Sequence, residues 1–119
     1  MADGMARSTR DAFTVGIMTL RANGDPSKME QAAASDPDRM RSIVDQAKEH
    51  GLIAHRFYGS EDGQIMVVDE WPDAQSFQSF FEQEQSRIQP LMQEAGVSSE
   101  PEVTFWRKLE TGDAVGWSA

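Results

Sequence analysis

The sequence predicts an α+β domain with elements in the order β-α-β-β-α-β, folded as one antiparallel four-stranded sheet with its helices on one face. Three observations predict it. Apolar residues mark four strands at Phe13 to Ala22, Leu52 to Gly59, Gln64 to Trp71 and Glu102 to Leu109. Helically spaced apolar residues fill the long gaps before the second strand and after the third. The middle strands are separated only by Glu61-Asp62-Gly63, a hairpin loop. A split βαβ arrangement turns this order into a single sheet.

In the first strand Phe13, Val15 and Ile17 alternate with Thr14, Gly16 and Met18, and Asn23-Gly24 closes it as a turn. Asp25-Pro26 and Asp36-Pro37 each set a capping carboxylate before a proline suited to the first helical position. They open a short helix, Pro26 to Ser35, and a longer one, Pro37 to about His50. Met40, Ile43, Val44 and Ala47 share one face of the longer helix, and Gly51 stops it. Gly63 suits the left-handed position of the hairpin. After Trp71-Pro72-Asp73, Phe77, Phe80, Phe81, Ile88, Leu91, Met92 and Ala95 keep helical spacing. Pro90 lies inside that run, which predicts a kink or restart near Ser86 to Gln89. The domain spans 13–109, between a small, polar, flexible tail at 1–12 and a short Gly-containing tail at 110–119.

With 119 residues the chain is long enough for one modest core. Hydrophobic residues make up 39% and charged residues 26%, a soluble globular balance. The absence of cysteine excludes disulfides, thiolate metal sites and thiol nucleophiles, and suits the cytoplasm. No apolar run approaches the roughly 20 residues that span a bilayer, and Met1 to Ala12 holds no secretory apolar stretch. The net charge of −9 makes nucleic acid a poor partner. Ten of the acids lie between Glu61 and Glu102 against one base, Arg87, which reads as a solvated acidic face. Every strand carries apolar residues at both parities, such as Ile17 and Met18, Val67 and Val68, Phe105 and Trp106. A sheet apolar on both faces, with helices on only one, predicts a homodimer packed sheet to sheet.

No Gly-rich phosphate loop, nucleophile elbow or HExxH motif is present. His50 and His55 lie five apart across a helix-to-strand break, and no metal site is expected. His50 falls at a helix end and reads as a capping residue. His55 falls on a strand, on one face with Ile53 and Phe57. With a three-residue hairpin loop it stands opposite Asp69; with a four-residue loop it stands opposite Val68, and Glu70 becomes the mirror candidate. A facing carboxylate holds one imidazole tautomer and stabilises the imidazolium, the orienting logic of catalytic dyads; otherwise it is a plain structural hydrogen bond. Tyr58, Trp71, Phe81 and Trp106 offer flat apolar walls for an aromatic ligand, and Arg107 offers a charge for an acidic one.

The element order over Phe13 to Leu109, and the segment Asp69-Glu70-Trp71-Pro72-Asp73-Ala74-Gln75-Ser76-Phe77, resemble the dimeric α+β barrel superfamily, the ferredoxin-like group that includes antibiotic-biosynthesis monooxygenases. The segments His55-Arg56-Phe57-Tyr58-Gly59 and Phe105-Trp106-Arg107-Lys108-Leu109 are similar to those of uncharacterised actinobacterial members. YciI-like proteins of the superfamily carry a pair comparable to His55 and Asp69. The haem-degrading branch has an Asn on the first strand, a Trp closing the third and a His about ten residues on. Trp71 fits that pattern, but Phe81 stands where the His belongs and the first strand has no Asn before Asn23. The resemblance therefore implies a cofactor-independent enzyme of the monooxygenase or isomerase type. Its substrate would be an aromatic or polyketide-like molecule, with His55 as base, Asp69 orienting it, and Tyr58, Trp71, Phe81 and Trp106 around the ring. The other reading is a non-catalytic ligand-binding or stress-associated dimer whose polar strand residues are structural.

Overall fold

Asp25 and Asp36 cap as their positions before proline demand. Asp25 accepts from the backbone N–H of Ser27 and Lys28, and Asp36 from that of Arg39. In the computed structural model, which describes residues 16–116, they open helices α1 (Pro26–Ser35) and α2 (Pro37–Glu49). Helix α3 (Ala74–Glu94) is capped by Asp73 in the same way. The strands are β1 (Gly16–Asn23), β2 (Ala54–Gly59), β3 (Gln64–Trp71) and β4 (Glu102–Arg107). Their order in the sheet is β2-β3-β1-β4, and every neighbouring pair is antiparallel. The tail read at 1–12 and the start of the first strand at Phe13 lie outside the described residues.

The second strand starts at Ala54 rather than Leu52 because Leu52 closes α2. Its N–H bonds the carbonyl of Ala47, and the N–H of Gly51 bonds that of Lys48. Gly51 sits at φ +108°, the left-handed residue this helix stop requires. Helix α3 ends in the same motif, with Val97 bonded to Met92 and Gly96 to Gln93.

Helix α3 neither breaks nor restarts at Pro90; it runs unbroken for 21 residues. Ser86 and Pro90 are both exposed, so the bond that proline forfeits lies on the solvent side. Leu91 and Ala95 are buried beside it, and Ile88 and Met92 pack on the core, which carries the helix through. The fourth strand ends at Arg107, opposite Gly16, short of Leu109, and among the described residues no strand follows it.

The core lies between the sheet and the helices. Met18, Leu20, Ile65, Val67 and Trp71 point to it from β1 and β3, and Ile43, Ala47, Phe77, Phe80 and Leu91 from α2 and α3. The opposite parity forms an open face. Tyr58, Met66, Arg21 and Glu102 lie in one row across it, then Arg56, Val68, Thr19 and Thr104, then Ala54, Glu70, Ile17 and Trp106. Among the described residues no helix is long and apolar enough to cross a membrane.

Candidate active site

The hairpin between β2 and β3 fixes the site. Its loop is the three-residue one: the Ser60 N–H bonds the Gln64 carbonyl over 2.9 Å, and Gly63 takes φ +88°. That register sets His55 opposite Asp69 and Ala54 opposite Glu70. Alternation then turns Asp69 toward the helices with Val67 and Trp71, and Glu70 to the open face. The choice between the two carboxylates thus follows from one loop residue.

Asp69 is 5% exposed. A buried carboxylate persists only with donors, and Asp69 has one for each oxygen. His55 Nδ1 lies 2.7 Å from Oδ1, and Trp71 Nε1 donates to Oδ2 over 3.1 Å. With the carboxylate accepting, a proton sits on Nδ1, and in the neutral ring the lone pair is on Nε2; the partner assigns the tautomer. The His55 side chain is 25% exposed. Phe57 meets its ring edge-on, with centroids 5.1 Å apart at 88°.

A cavity of about 70 Å³ lies between the sheet and helices α2 and α3, with His55 and Asp69 on its wall. The rest of the wall is aliphatic, aromatic or methionine, from residues such as Met40, Leu52, Phe81 and Met92. Phe81 is part of it, stacked on Phe77 at 5.5 Å and 27°. An imidazole oriented by a carboxylate, with its second nitrogen as lone-pair acceptor, is equipped to take a proton from a molecule held there.

The other predicted wall residues lie elsewhere in the chain. Trp71 is 1% exposed and packs on Phe77 and Phe80, so its indole serves Asp69 rather than the cavity surface. Alternation carries Tyr58 and Trp106 to the open face, where Trp106 donates to Thr19 Oγ1 over 2.9 Å. Arg107 is exposed at the end of β4, opposite Gly16. These three residues do not join His55 around one pocket. His50 caps α2 and pairs through Nε2 with Gln83 Oε1 at 3.0 Å. Among the described residues no group of three His, Asp or Glu is placed to hold a metal ion.

Sequence reading assigned Trp71 to a ligand wall and missed it as a donor to Asp69. The signal was present, since residues two apart on a strand share a face. It also missed Glu84, buried on α3, whose carboxylate accepts from Arg87 Nε over 2.7 Å while Arg87 bonds Ser42 on α2. That cluster ties the helices together and does not line the cavity.

No protein-family model and no functionally curated protein matches the sequence. Solved structures do. A monooxygenase from Streptomyces coelicolor, ActVA-Orf6, in complex with nanaomycin D is similar with a TM-score of 0.63 and 14% identity, over 86% of this chain and 94% of that one. SnoaB, a cofactor-independent oxygenase from Streptomyces nogalater, is similar with a TM-score of 0.55 and 16% identity, over 87% of this chain and 100% of that one. A dimeric ferredoxin-like protein from an uncultured marine organism gives a TM-score of 0.56 and 13% identity, over 90% of this chain and 99% of that one. At such identities the likeness is one of fold: the chain has the ferredoxin-like α+β architecture that these proteins share.

Proposed function

We propose that the protein is a small cofactor-independent enzyme of the monooxygenase or isomerase type, acting on an aromatic or polyketide-like molecule by proton abstraction. The observation that carries this reading is the hydrogen-bonded chain Trp71–Asp69–His55, which ends on the wall of an apolar cavity. In it His55 Nε2 is the base and Asp69 the group that orients it. The base removes a proton from a weakly acidic O–H or C–H, and the electron pair stays on the substrate as an enolate or carbanion. Dioxygen then adds at a carbon that still carries a hydrogen, the peroxide anion takes the proton back from the imidazolium, and loss of water from that hydroperoxide, with the carbon's hydrogen, leaves a carbonyl. Alternatively the proton returns at a different carbon, which is isomerisation. Two similar folds described as a monooxygenase and a cofactor-independent oxygenase support the first course.

The enzyme is a homodimer packed through the open sheet face. Tyr58 and Trp106, 43% and 55% exposed, and the half-buried Met66, Val68 and Ile17 support this, as does a dimeric neighbour of the same fold.

One observation favours the other reading, a non-catalytic dimer: the cavity is small, about 70 Å³. Incubation with phenols and enolisable ketones under ¹⁸O₂ separates the two. Labelled product formed by the unaltered chain and lost in His55→Ala is the expected result. No turnover of any probe, with His55→Ala indistinguishable from the unaltered chain, would favour the non-catalytic dimer.

A further inference from the structure

Polar groups are scarce on the cavity wall, and their scarcity constrains the ligand. Among the described residues His55 and Asp69 are its only polar side chains. Both Asp69 oxygens are already engaged, and His55 Nδ1 is engaged with one of them. One side-chain hydrogen-bonding position is left for a ligand, the imidazole Nε2. Any second polar group on a buried ligand loses its water and gains no side-chain partner. A carboxylate fares worse, because no lysine or arginine among the described residues lines the cavity and the Asp69 carboxylate does.

Size narrows the choice further. The cavity of about 70 Å³ is half the roughly 150 Å³ that admits a benzene ring in an engineered core. Room for one ring has to come from partly exposed wall residues, among them Met40, Phe81 and Met92, of which the methionines repack readily. Met18, Phe77, Phe80 and Leu91, also on the wall, are buried.

We infer that the site selects an uncharged single-ring phenol or enol whose one hydrogen-bonding group is the acidic group presented to His55 Nε2, and that it turns away carboxylated and polycyclic ligands. This rests on the reading of His55 as base and narrows the substrate of that reading.

The chain has two histidines, so a His50→Gln variant assigns the imidazole signals of His55 in a ¹⁵N-histidine-labelled sample. The probes are 4-ethylphenol, 4-hydroxybenzyl alcohol, 4-hydroxyphenylacetate and the tricyclic 2-hydroxyanthracene. Saturable shifts of the His55 signals with 4-ethylphenol are expected. The second hydroxyl and the carboxylate should each weaken binding at least about tenfold. The tricyclic phenol should leave the signals unmoved. Equal or tighter binding of the carboxylate or of the tricyclic phenol at His55 would overturn the selectivity while leaving His55 as the site. If no probe moves the His55 signals, the site reading itself fails, and the selectivity falls with it.

Discussion

Trp71 and Asp69, two residues apart on β3, point to the same side of the sheet and are joined by a 3.1 Å bond from the indole Nε1 to Oδ2. The bond leaves neither carboxylate oxygen of a nearly enclosed aspartate without a donor. Trp71→Phe keeps much of the aromatic packing on Phe77 and Phe80 but removes the donor together with part of a buried ring system. It should destabilise the fold by about 1–3 kcal/mol, the cost of a buried acceptor left unpaired. Chemical denaturation of the variant measures this. Trp71→Phe in an Asp69→Asn background should cost less than in the unaltered chain, which shows that the loss comes from the carboxylate and not from ring packing.

How much of this was legible in the sequence depends on what each residue had to say locally. The Asp-Pro helix starts, the stop at Gly51 and the hairpin at Gly63 are local chemistry, and the structure has them where the sequence places them. Pro90 misleads because its local penalty is outweighed by tertiary packing of Leu91 and Ala95, which no window around Pro90 reveals. The pairing of His55 with Asp69 was one of two registers, and a single loop residue decided between them. Tyr58 and Trp106 were grouped with the site by residue type. Their parity relative to His55 and Phe105 already placed them on the opposite face.

The open face predicts the oligomeric state. Sedimentation at micromolar concentration should give about 27 kDa, twice the 13.3 kDa chain. An obligate interface of this kind buries roughly 2,000 Å² or more. Val68 sits mid-face between Arg56 and Thr19 in its cross-strand row. Val68→Lys sets a second cation beside Arg56 and should shift the species to monomer. A Val68→Lys protein that still sediments as a dimer would move the interface away from this face.

Arg39 reaches from the first turn of α2 to Glu94 at the end of α3 with two 2.8 Å bonds. The hydrogen bond from Arg39 holds the Glu94 carboxyl below its ordinary value of 4.5, and the same bond holds the guanidinium above its own. A carboxyl whose pKa is lower in the folded state adds stability that is complete above its unfolded value and lost as pH falls through the folded one. Glu94→Gln should therefore be less stable than the unaltered chain near neutrality, with the difference shrinking as pH drops below about 4.5. Melting curves from pH 7 to pH 3 test the sign. A gap that widens in acid would assign the link no part in the acid limb.

Asp69→Asn separates positioning from structure. The carboxylate accepts two N–H bonds, one on each oxygen. An asparagine in its place has one oxygen and one NH₂, so it satisfies one of the two donors and faces the other with a hydrogen. If its oxygen stays with Trp71, its NH₂ meets His55 Nδ1 and pulls the imidazole into the other tautomer, with the proton on Nε2. A base protonated on the nitrogen that faces the substrate takes no proton. Turnover should fall by about 10²–10⁴-fold, mainly in kcat, while binding of a neutral phenol persists. ¹⁵N spectra of the His55 ring should show the tautomer exchanged. A purely structural Asp69 predicts a lower melting temperature and the same exchange of tautomer, with kcat unchanged in whatever protein remains folded.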